Sequence, residues 1–204
     1  MRTAVRACLT VVAVALPLLA TAAGTLNASF YGRQPPLPAN ATVEVLGGVA
    51  PGKPVLFESA TAGKVVLRLA RDTETSTAER PVYRFEQQAD GSQRFYEMAD
   101  PAYVNKLDAE ALKSVATDVG KTTHRSIVAA LDKSGALQKC VPPSVKGSNA
   151  ALVFYVVVKA GGTETSSLFL PEGSVTECIQ RAWTDRKHLP PGVDSTFRWI
   201  IRLK

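Results

Sequence analysis

Residues 140–160 read CVPPSVKGSNAALVFYVVVKA, and the chain after them decides the fold. Leu152 to Val158 is an almost unbroken apolar run, so it predicts a central strand covered on both faces. Gly161-Gly162 turns the chain into a second strand, Ser166 to Leu170, which Pro171 and Gly173 end. Ser174-Val175-Thr176-Glu177 matches a capping box, with the serine hydroxyl on the amide three residues on and the glutamate reaching back. Val175, Cys178, Ile179, Ala182 and Trp183 follow at helical spacing and predict a buried helix stripe. Leu189-Pro190-Pro191-Gly192 breaks that helix. The last stretch alternates Phe197, Trp199, Ile201 and Leu203 against Arg198, Ile200, Arg202 and Lys204, the mark of a strand with one face in a core.

The residues upstream read as strands, then helices. Val43–Leu46, Val55–Phe57 and Lys64–Leu69 are short β-rich runs between Gly and Pro turns. Val82–Phe85 and Arg94–Met98 flank Ala89-Asp90-Gly91-Ser92, a hairpin signal, because glycine takes the positive φ of the turn. Asp72 to Arg80 is polar and reads as an exposed loop. Asp108 reads as a helix cap, with Leu107 and Leu112 as a hydrophobic staple, Leu112, Val115 and Val119 as the buried stripe, and Gly120 as the stop. A second helix is expected from about Thr123 to Ser134, with Ile127, Val128 and Leu131 on one face and His124 exposed at its polar start. Hairpin followed by helix thus occurs twice, at 83–119 and at 153–183.

The first residues read as an address. Arg2 and Arg6 precede the apolar run Ala7–Leu19, which ends in Ala20-Thr21-Ala22. That is the layout of a cleaved secretory signal peptide, and the run is short for a membrane span and contains Pro17. The organisation expected is a signal peptide at 1–22, a Pro-rich linker without core residues at 23–41, a β-rich region ending in a helix at 42–120, and a C-terminal module at 121–204. The predicted location is periplasmic or secreted, with no stable membrane span after cleavage.

Composition narrows the function. Apolar residues make up 46% of the chain, which suits a globular core. The formal charge of +6 falls to about +4 once Arg2 and Arg6 leave with the signal. It is spread without a Lys or Arg run, which argues against nucleic acid. Two cysteines remain in the exported chain, Cys140 and Cys178, and they suggest one disulfide. His124 and His188 stand at no metal-ligand spacing from them, so no metal and no cofactor is expected. No Gly-x-Ser-x-Gly or comparable nucleophile motif is present, so no catalytic residue is assigned and an enzyme, a hydrolase included, is disfavoured.

The order helix, cysteine, strand, glycine turn, strand, helix with cysteine, Pro-Pro-Gly, strand resembles the C-terminal domain of TonB-type proteins. More narrowly, it is similar to the two-cysteine branch found in AgmX/PglI-type motility proteins. The residues that carry the resemblance are Cys140, Gly147, Leu152 to Val158, Gly162, Val175, Cys178, Ile179, Trp183, Pro190, Pro191 and Gly192. The resemblance covers the C-terminal third and implies an α-β-β-α-β module stapled by Cys140–Cys178. Leu189-Pro190 stands where the family has Phe-Pro, and Val141 where it commonly has an aromatic. A membrane anchor and a long Pro-rich arm are missing from the pattern, so energy transduction is not carried over.

The fold class expected is therefore α+β, with an N-terminal, mostly antiparallel β segment, then helices and the stapled module. The function expected is a non-catalytic exported envelope protein that binds other envelope proteins, by pairing an extended peptide with a sheet edge. The candidate edge is Thr196, Phe197, Arg198, Trp199, Ile200, Ile201 and Arg202. The alternative is a permanent accessory subunit of an envelope transport, secretion or motility machine.

Overall fold

A computed structural model describes residues 27–61, 63–145 and 150–203. The expected signal peptide, and Gly147 of the TonB-type pattern, lie outside the described residues. The fold is α+β, as the sequence predicts. Six strands come first: β1 Ala28–Tyr31, β2 Thr42–Val45, β3 Pro54–Thr61, β4 Lys64–Leu69, β5 Tyr83–Gln87 and β6 Gln93–Glu97. Three helices follow: α1 Pro101–Ser114, α2 Asp118–Ser134 and α3 Ala136–Cys140. Strands β7 Ala151–Val158 and β8 Glu164–Leu170, helix α4 Ser174–Ala182 and strand β9 Ser195–Arg202 complete the chain.

The first sheet has the order β1-β6-β5-β3-β4-β2. Its inner pairs are antiparallel, and the edge strands β1 and β2 run parallel to β6 and β4. The Asp90-Gly91 hairpin is present, with Gly91 at φ +82°. One face buries Val43, Val55, Leu67, Tyr83, Phe85 and Phe95.

The Pro-rich segment is not core-free. Residues 28–31 add to the sheet edge, and Phe30 stacks on Phe95 at 5.2 Å and meets Phe57 and Tyr83 edge-on. Part-burial of Phe30 in this aromatic cluster, with β-prone Tyr31 beside it, is what draws the segment out of a linker. Arg33 fixes the exit: its guanidinium bonds the Glu97 carboxylate and the Thr77 carbonyl, and Tyr83 Oη donates to the Arg33 carbonyl at 2.7 Å.

The second sheet has the order β8-β7-β9, all antiparallel, so the apolar run 151–158 is the central strand. Leu152, Phe154, Val156 and Val158 face one core with Ile127, Leu131, Ile179, Trp183, Phe197 and Trp199. Helices α2, α3 and α4 supply that layer, and α1 crosses the other face. The disulfide Cys140–Cys178 ties α3 to α4, with Cα atoms 5.6 Å apart.

Helix starts differ from the sequence reading. Helix α1 begins two turns earlier, at Pro101, because Asp100 accepts the Ala102 N–H at 2.9 Å and proline suits the first helical position. Asp108 therefore lies mid-helix. Leu107 is buried, but Leu112 is 69% exposed and forms no staple, and Val119 is 54% exposed. Gly120 does not stop a helix. Thr117 caps α2, accepting the Gly120 N–H at 3.0 Å. A Cβ at 120 would stand 1.8 Å from the Ser114 carbonyl oxygen, so glycine is what lets α2 start against the end of α1.

The capping box of α4 does not form either. The cap position is Gly173, and the Ser174 N–H donates to the Glu86 carboxylate at 3.2–3.3 Å. A carboxylate at a helix N-terminus meets both free amides and the positive end of the helix dipole. Gly173 makes room, since a Cβ there would lie 2.4 Å from Glu86 Oε1. Glu177 turns instead to the first sheet, accepting from Tyr96 Oη at 3.1 Å. The two sheets are thus joined by carboxylates that each half lends to the other.

Candidate functional edge

Strand β9 is an edge of the second sheet. The Leu203 N–H donates to Ala150 O, so the odd-numbered residues of β9 turn their amides and carbonyls toward β7. Thr196, Arg198, Ile200 and Arg202 turn theirs outward. Helices α1 and α2 occupy the first half of this edge. The Thr196 N–H donates to Ser114 Oγ at 3.2 Å and Thr196 Oγ1 to Glu110 Oε2 at 2.8 Å. His124 Nε2 donates to the Arg198 carbonyl at 3.2 Å. Arg198 itself bonds Asp108 Oδ1 at 2.6 Å, and Tyr155 Oη donates to the same oxygen at 2.9 Å. Burial and this acidic neighbour push the Tyr155 phenol up.

The second half is open. Ile200 is 47% exposed and Arg202 is exposed. The outward amides and carbonyls of Ile200 and Arg202 have no partner among the described residues, and Arg202 makes no ion pair there. The seven edge residues therefore divide into three groups. Phe197 and Trp199 are core, with Ile201 packed against it. Thr196 and Arg198 are tied to helices. Ile200 and Arg202 remain open among the described residues.

The sheet register extends this surface. Leu170, Val153 and Ile200 pair in one row across β8, β7 and β9. Each strand presents one aliphatic side chain to the α1 side, and the row ends at the open edge.

His124 is not the exposed residue the sequence suggests. His124 is half-buried against Phe197 and Trp199. His188 is buried, with Nε2 3.2 Å from Glu164 Oε2, and Arg186 bonds the same carboxylate. Gly162, at φ +88°, is what allows the loop to close this way, because a Cβ there would stand 2.3 Å from the His188 carbonyl oxygen. Asp108, Glu110, Ser114 and His124 were not legible as edge-covering residues. The only signal was indirect: polar residues flank the buried Leu107 and Ala111 on α1, as on a helix laid across a sheet.

Among the described residues, no group of three or more His, Cys, Asp or Glu could hold a metal. No helix among them is long and apolar enough to cross a membrane. The class of protein these features define is an α+β chain whose disulfide-stapled module exposes half of one sheet edge. No protein-family model matches the chain, and no curated protein or solved structure matches it either.

Proposed function

We propose that this chain is a non-catalytic, exported envelope protein whose C-terminal module captures an extended segment of another envelope protein on the open half of β9. The observation that carries the reading is the Ile200–Arg202 stretch, which among the described residues has unpaired outward backbone groups, one exposed aliphatic side chain and one cation without an ion pair. Main-chain hydrogen bonds supply affinity in such pairing, and alternate side chains supply selectivity. The α-β-β-α-β order and the disulfide support the likeness to TonB-type C-terminal modules, where edge pairing is the implied mode. An exposed strand with a cation on it is otherwise an aggregation risk that the charge restrains.

The test is a photocrosslinking amino acid at Arg202 in the exporting cell, with and without Ile200→Pro. Proline removes the outward N–H and is tolerated on an edge strand. The expected result is an envelope adduct that disappears in the proline variant while thermal stability holds. An adduct that persists in a folded Ile200→Pro protein overturns the edge reading.

A further inference from the structure

A recess lies where the two halves of the chain meet, at the end of the Leu170–Val153–Ile200 row away from the β9 edge. Met98, Val104 and Asn105 of α1, Val153, Leu170 and Glu172 are among its lining residues. Its volume is about 370 Å³, within the range of small-molecule sites, and such sites favour junctions between structural units. The lining is mainly aliphatic. It lies beside the first turns of α1, over the start of β7 and the end of β8.

Glu172 is the charged exception. One oxygen accepts the Ala99 N–H at 2.5 Å. It makes no ion pair within 4.0 Å among the described residues. Pro101 and Pro171, which flank it in the lining, have no N–H to offer. Burial pushes its carboxyl up; its own backbone N–H, that of Ala99 and the more distant Arg84 offset this in part, and the charge of Glu97 adds to the rise. A carboxylate in an apolar recess is costly until a cation joins it. An anion would be repelled, and a neutral apolar molecule would leave the carboxylate unpaired.

We infer that this recess binds a small amphiphile with an ammonium head at Glu172 and an unbranched apolar body along Val104, Val153 and Leu170. The ammonium supplies the missing ion pair, and the body covers the aliphatic lining.

The experiment titrates the full chain with n-octylammonium, 1-octanol and octanoate, read by calorimetry and by amide NMR shifts. Octylammonium is expected to bind at least tenfold more tightly than octanol, with octanoate weakest, and shifts centred on Ala99, Val104 and Val153. Glu172→Gln is expected to bring octylammonium to the octanol value. Val104→Trp, which fills the recess, is expected to abolish binding of all three. Equal affinity of octylammonium and octanol for the unmodified protein overturns the inference, as do shifts centred elsewhere. If Glu172→Gln fails to fold, the ranking of the three probes on the unmodified protein decides. Loss of partner capture at β9 would leave this result unchanged, so the two readings fail separately.

Discussion

Removing the disulfide is the perturbation whose size follows most directly from the structure. Cys140 and Cys178 are 38 residues apart. In the chain-entropy treatment, closing a loop of that length lowers the entropy of the unfolded chain by about 13 cal/mol/K, or about 4 kcal/mol at 25 °C. The native state loses little else in Cys140→Ser/Cys178→Ser, because α3 and α4 remain packed through Ala136, Val141 and Ile179 in a shared core. Domains of this size have a net stability of only about 5–15 kcal/mol, so the loss is a large share of the total. The assay is urea unfolding of the oxidised protein and the double-serine variant, followed by tryptophan fluorescence of Trp183 and Trp199, both buried. The expected result is a fall of about 4 kcal/mol in extrapolated stability. A fall below about 1 kcal/mol would refute the reasoning, since the bridge would then not be restricting the unfolded ensemble.

Three further outcomes test the fold's joints. Glu86→Ala removes the carboxylate from the start of α4 and is expected to cost about 1 kcal/mol by urea unfolding, in the range of a lost helix cap. Gly162→Ala forces a Cβ to 2.3 Å from the His188 carbonyl at φ +88°, and should destabilise by well over 1 kcal/mol in thermal melts. The third is a pH effect. Arg68 holds the Glu74 carboxyl down to about 2 from its ordinary 4.5, through a hydrogen-bonded ion pair at 2.7 Å. The folded state therefore binds fewer protons than the unfolded one between those values. The stability from Glu74 is present above pH 4.5 and lost as pH falls toward 2. Arg68→Met is expected to flatten that acid limb in a series of melts from pH 6 to 2.

Much of the C-terminal module was legible because its signals are local and agree with one another. The unbroken run Leu152–Val158 could only be a covered strand, and it is the centre of its sheet. The alternation from Phe197 to Leu203 placed the right side chains in the core. The cysteine pair and the stripe of α4 closed the module. What failed were readings in which a short polar pattern was given a local partner. Ser174 and Glu177 had the spacing of a capping box, but Glu86, 88 residues away in the chain, competes for the same amide and wins. Leu112 had helical spacing, but an earlier start to α1 turned a different stripe, Leu107 and Ala111, to the sheet. Phe30 sat in a Pro-rich stretch, and only the aromatic cluster of Phe57, Tyr83 and Phe95 reveals why it is held.

The candidate site divides in the same way. Sequence by itself determined that Thr196–Arg202 is a strand and which of its side chains are apolar, because period-two alternation is a property of one strand. Whether that strand has a free edge depends on what lies beside it, and no single strand encodes that. Tertiary structure decided that Ser114 and His124 close one half and that Ile200 and Arg202 remain open. It also decided that Glu172, one acid among several in the sequence, lies unpaired in an apolar recess. Burial, and the lack of an ion pair within 4.0 Å among the described residues, are relations between distant parts of the chain, and folding alone brings those parts together.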